Sequence, residues 1–73
     1  MTKGTFCTKL CELLQQTDEC RDLMQLEYHE DIHGEEWVTP IWKLENGGYF
    51  GKSISVTADS MTAIIKDVLR GIA

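Results

Sequence analysis

The chain is short of everything from which a secreted, membrane or metal-dependent protein is usually built. Its 73 residues include one proline, two histidines and three cysteines, and the seven basic residues are outnumbered by twelve acidic ones. An odd cysteine count does not suit a disulfide framework. The opening MTKGTFCTKL has no apolar run of the kind a signal peptide carries, and no stretch approaches a membrane span. These absences point to a reduced, cytoplasmic chain with no membrane partner. No cysteine or serine is marked as a nucleophile beside a base. The run GGYFGKS lacks the G-x-x-x-x-G-K-[ST] spacing of a phosphate loop, and it leads into a strand pattern where a phosphate cradle needs a helix N-terminus. The chain therefore reads as non-enzymatic, without catalytic residues or a cofactor.

The shortage of positive charge is uneven. Residues 1–36 hold three bases and nine acids, a charge of −6, while residues 37–73 hold four bases and three acids, +1. The acidic half repels phosphate and excludes tight duplex binding by charge alone. At this length the chain is a single domain, 1–73, with a thin core.

What is present is ordered patterning. Met61, Ile64, Ile65, Val68, Leu69 and Ile72 form one stripe of an amphipathic α-helix, with Thr57 as expected N-cap, Asp59 in the first turn and Arg70-Gly71 at the end. In LMQLEYHE, residues Met24, Leu26 and Tyr28 alternate with Gln25, Glu27 and His29, the period of a half-buried strand. EWVTPIWKLE alternates Val38, Trp42 and Leu44 against Trp37, Thr39 and Ile41, with Pro40 implying an open edge or a bulge. YFGKSISV is a third strand with Phe50, Ile54 and Val56 toward the helix. His33-Gly34 and Asn46-Gly47-Gly48 supply the turns. Phe6, Cys7, Leu10, Cys11, Leu13 and Leu14 predict a helix over 5–16. The expected fold is α+β, an antiparallel three-stranded sheet between an N-terminal helix and a C-terminal amphipathic helix, in the order α-β-β-β-α.

The sheet face away from the C-terminal helix would carry Trp37, Thr39, Ile41, Lys43, Tyr49, Gly51, Ser53 and Ser55. Rings, hydroxyls and a lysine on an open sheet suit single-stranded nucleic acid, whose bases stack on aromatics. The same face could instead be covered by residues 5–16 or by a second subunit. Strict alternation points Lys52 into the core, where an unpaired ammonium is costly, so it either snorkels at the rim or is turned out by a bulge at Gly51. Cys7, Cys11 and Cys20 with His29 and His33 could be read as a zinc set. The tight Cys-x2-Cys knuckle is missing, and the cysteines read as buried core residues with no metal assigned.

GKSISVTADSMTAIIKDVL, with Gly51, Lys52, Ile54, Val56, Thr57 and Met61 in place, resembles the strand-to-helix end of the positive-cofactor-four family of transcriptional coactivators. EWVTPIW resembles that family's preceding strand. The resemblance spans residues 23–70. It implies a curved antiparallel sheet that binds single-stranded DNA and a C-terminal helix that mediates a homodimer, here through Met61, Ile64, Ile65, Val68 and Leu69. The contacts it implies are Trp37, Trp42, Lys43, Tyr49, Lys52 and Ser53. The family begins with strands, whereas residues 5–16 read as a helix. The element order is also that of double-stranded-RNA-binding domains, but TADSMTAI lacks the basic cluster such domains use on phosphates.

A reading of another class rests on the −6 half. An acidic protein-interaction module, of the type of a phage or mobile-element inhibitor, would place Glu30, Asp31, Glu35 and Glu36 against a basic partner.

Overall fold

In the computed structural model, which describes residues 1–44, 47–56 and 60–72, the first helix starts two residues earlier than its apolar stripe suggests. Thr2 is the reason. Its hydroxyl oxygen accepts from the Thr5 amide at 3.0 Å, satisfying a donor that the helix cannot, and α1 runs Lys3–Leu14. Cys7, Leu10 and Cys11 form its buried side. Leu13, assigned to the same stripe from sequence, is 64% exposed, because it lies on the flank of the helix beyond Leu10. The Thr17 hydroxyl donates to the Leu14 carbonyl at 2.7 Å and closes the helix end. Buried Cys20 then pins the connection to the sheet.

The sheet is an antiparallel meander built on a long central strand. β1 is Leu23–Glu30, β2 is Glu36–Leu44, β3 is Gly47–Phe50 and β4 is Ile54–Val56. β1 pairs with one edge of β2, and β3 and β4 pair in succession with its other edge. The expected third strand is thus present but broken. Between the two paired stretches Thr39 and Pro40 face three residues, Gly51, Lys52 and Ser53, so the arm carries one extra residue. The Gly51 amide donates to the Pro40 carbonyl at 2.7 Å within this bulge. The extra residue leaves Lys52 exposed, which resolves its awkward place in the alternation.

One inserted residue exchanges the two sides of a strand. Tyr49 therefore lies opposite Trp42 and Phe50 opposite Ile41, the reverse of the expected facing, while Ile54 and Val56 remain toward the core. A second irregularity, between Leu23 and Gln25, does the same at the start of β1. Leu23 is fully buried there, and the expected core residue Met24 is half exposed. Leu44, also expected inside, is exposed at the end of β2.

Both helices lie on one side of this sheet. Cys7, Leu10 and Cys11 of α1, Leu23 and Leu26 of β1, Val38 of β2, Val56 of β4 and Ile64 and Val68 form a single cluster with Cys20. Ile64 and Val68 belong to α2, Met61–Ile72, capped by Ser60, whose hydroxyl oxygen accepts from the Ala63 amide at 3.1 Å. The cap and first-turn acid expected at Thr57 and Asp59 lie outside the described residues, as does Asn46 of the second turn. Gly71 does not end α2 but lies within its last turn, where it permits close packing on β4. A Cβ there would stand 2.6–2.8 Å from three side-chain carbons of Ile54. No helix among the described residues is long and apolar enough to cross a membrane.

The polar end of the core side is a network on Glu36, whose side chain is only 12% exposed. Lys3 reaches it at 2.5 Å from α1, and the Tyr28 hydroxyl also donates to it. Glu30 lies directly across from Glu36, a like-charge pairing that would cost stability without these partners. The hydrogen bond from Lys3, then that from Tyr28, hold the Glu36 carboxyl below its ordinary value. Burial, then the Glu36 carboxylate, push the Tyr28 phenol up from its ordinary value.

Two outcomes are expected. Gly71→Ala adds helix propensity worth up to about 1 kcal/mol but forces overpacking worth about 1–3 kcal/mol, so thermal melting should show a net loss. A lowered carboxyl stabilises above its unfolded value and ceases to as pH falls through the folded one. A raised phenol stabilises below its unfolded value and ceases to as pH rises. Melting temperature measured against pH should therefore fall in acid below the ordinary carboxyl value of 4.5 and in alkali above 10.0. Glu36→Gln should flatten the acid limb, and Tyr28→Phe the alkaline one.

Candidate binding face on the open side of the sheet

With both helices on one side, no element among the described residues covers the other side of the sheet. Register places Gln25, Glu27 and His29 of β1, Trp37, Thr39, Ile41 and Lys43 of β2, Phe50 of β3 and Ser55 of β4 on it. The possibility that residues 5–16 cover this face is removed, because α1 packs its buried residues into the opposite side.

Two regions differ in chemistry. At one end Phe50, 70% exposed, lies across from Ile41 with Met24 and Lys43 nearby. Gly48 keeps this end flat, since a Cβ on it would stand 3.2 Å from the Met24 sulfur. At the other end Trp37 stacks on His29, with ring centroids 5.4 Å apart and planes 21° from parallel. His29 in turn meets the Glu27 carboxylate at 2.8 Å. A cleft of about 430 Å³ opens beside Trp37, between the β1–β2 turn and β4, bounded by Glu35, Ser53 and Ser55. Ser53 is tied to the buried Thr39 hydroxyl at 2.9 Å.

The residues named from sequence divide accordingly. Trp37, Lys43 and Ser53 are on the open face, and Lys52 is exposed in the bulge beside it. Trp42 and Tyr49 are not on it. Trp42 packs against the core, its indole nitrogen 3.0 Å from where a Gly51 Cβ would be, and Tyr49 pairs with it. The six do not form one site. Phe50 takes the place expected for Tyr49, and no signal in the sequence marked the extra residue responsible beyond the glycine at 51 and the misplaced lysine at 52.

The acidic quartet also divides. Asp31 is a turn residue: one carboxylate oxygen accepts from the His33 and Glu35 amides, each at 2.9 Å, with Gly34 at φ +81° completing the turn. Glu36 is engaged by Lys3 and Tyr28. Glu30 and Glu35 are left exposed to solvent. Of the helix residues assigned to a homodimer, Ile64 and Val68 are wholly buried within the chain, Met61 and Ile65 are half-buried, and Leu69 is exposed.

Cys7, Cys11 and Cys20 are buried, and burial pushes the Cys7 and Cys11 thiols up, away from the thiolate. His29 is on the far side of the sheet, against Trp37, so the five residues of the zinc reading do not converge. Among the described residues no group of three or more His, Cys, Asp and Glu is placed to hold a metal ion. Comparison with known proteins found no matching family model, no matching curated protein and no matching solved structure.

Replacing Asp31 by alanine removes the acceptor of two turn amides and should cost about 1–2 kcal/mol by chemical denaturation. Asp31→Asn, which keeps an acceptor oxygen, should cost less.

Proposed function

We propose that the chain is a non-enzymatic binding module that works through the open face of its sheet, and that its partner is a basic protein. The observation that carries this reading is the cleft lined by Trp37, the exposed Glu35 and Glu36, which joins an aromatic residue to acidic ones. The charge of the whole chain, −5, acts in the same direction, drawing in cations and holding off polyanions. Exposed aromatic and Met side chains on one face are what protein interfaces favour at their centres. Ile64 and Val68 are spent on the chain's own core, so an interface on α2 would rest on Leu69 with Met61 and Ile65, a narrower surface than the open sheet. Three free cysteines in the core suit a reducing compartment, and the cytoplasm is the proposed location.

A second reading has its own support. Phe50 and Ile41 with Lys43 and the exposed Lys52 make a small stacking surface with two cations, which fits the single-stranded nucleic-acid binding of positive-cofactor-four-like proteins.

One titration separates the two. Under the first reading a lysine- and arginine-containing peptide binds in low salt, binding weakens as salt rises, and labelled single-stranded oligonucleotide gives no saturable signal. Micromolar oligonucleotide binding that is lost in Phe50→Ala and Lys43→Ala would replace it with the second.

A further inference from the structure

We propose that the cleft between the β1–β2 turn and β4 is a receptor for one arginine side chain of the partner, an inference that rests on the protein-binding reading above. Its volume of about 430 Å³ admits one long side chain with flanking backbone.

Three kinds of group meet there, each suited to a guanidinium. The Trp37 indole offers a ring face, the preferred surface for stacking and for cation–π attraction. His29 stacks on one side of that ring, and Trp37 borders the cleft. Glu35 offers a carboxylate, which accepts the paired N–H groups of arginine in a way an ammonium cannot match. The Ser53 and Ser55 hydroxyls offer further acceptors.

Each of these groups is anchored by a different contact. The Glu35 backbone is held on both sides by Asp31, which accepts from its amide through the carboxylate and donates to its carbonyl at 3.0 Å. Trp37 is held by the His29 stack, and Ser53 by Thr39. A site whose parts are fixed before binding loses less entropy when the ligand arrives. Of the chain's own cations, Lys52 is exposed next to Ser53 at the rim of the cleft. Lys3 is bound to Glu36, which also lines the cleft, and Lys43 is six residues along β2 from Trp37, about 20 Å at the rise of a strand. An anionic ligand would meet Glu35 and is disfavoured.

The test is an NMR titration of 15N-labelled full-length protein with capped tripeptides whose central residue is arginine, lysine or citrulline. Arginine should shift the Trp37 indole N–H and the Ser53 and Ser55 amides saturably, at about millimolar Kd for so small a ligand. Lysine should bind several-fold more weakly and citrulline, which is uncharged, weaker still. Glu35→Gln should weaken arginine binding about tenfold while the rest of the spectrum is unchanged, which separates lost recognition from lost folding. Equal shifts from all three peptides, shifts confined to Phe50 and Lys43, or undiminished binding by Glu35→Gln would each overturn the assignment. If a longer basic peptide still binds the open face in Glu35→Gln with wild-type affinity, the arginine receptor is refuted and the protein-binding reading stands. If no basic peptide binds the wild-type protein at all, both fall.

Discussion

A sheet has two faces, and a chain of 73 residues has apolar side chains enough to bury one of them well. The rest of this structure depends on that limit. Both helices compete for the same side because Leu23, Leu26, Val38, Val56, Ile64 and Val68 can form one continuous cluster only there. α1 brings three more buried side chains to it, two of them cysteines acting as small apolar residues. Had α1 crossed to the other face, the cluster would have been cut into two parts, each too small to exclude water. The uncovered face follows from where the core was concentrated.

Polar residues secure the ends of this arrangement where apolar packing runs out. Glu36 joins the first helix to the sheet through Lys3 and closes the core side with Tyr28, while its neighbour Glu35 is exposed and borders the cleft. Asp31 organises the turn from which both glutamates emerge. Four acidic residues that look alike in a charge count thus do different work. Asp31 and Glu36 stabilise the fold, and Glu30 and Glu35 are exposed to solvent. The negative half of the sequence is accordingly a poor guide to binding until each carboxylate has been placed.

Much of the fold was legible. The 3.6-residue stripe at 61–72 and the alternation in 23–30 and 36–44 gave both the elements and their order, because each reports a period set by local geometry. The start of the first helix was not legible: Thr2 caps it two residues before the expected start at residue 5, since a hydroxyl just before a helix can take the role. The site was half legible. Trp37, Lys43 and Ser53 were placed on the open face by parity alone. Tyr49 and Phe50 were exchanged, and Met24 was moved outward, because a single extra residue in a strand reverses every side chain on one side of it.

The sequence by itself determined which segments are helices and strands, in what order they follow, and that the three cysteines join the core. These depend on local periodicity and composition, which do not change with context. Only the tertiary structure decided which side of the sheet α1 covers, where the bulges fall, and which carboxylates remain available. Those choices are settled by contacts between residues far apart in the chain: Lys3 with Glu36, Gly71 with Ile54, Pro40 with Gly51. No local pattern encodes such contacts, and on them depends whether Trp37 looks into a core or into a cleft.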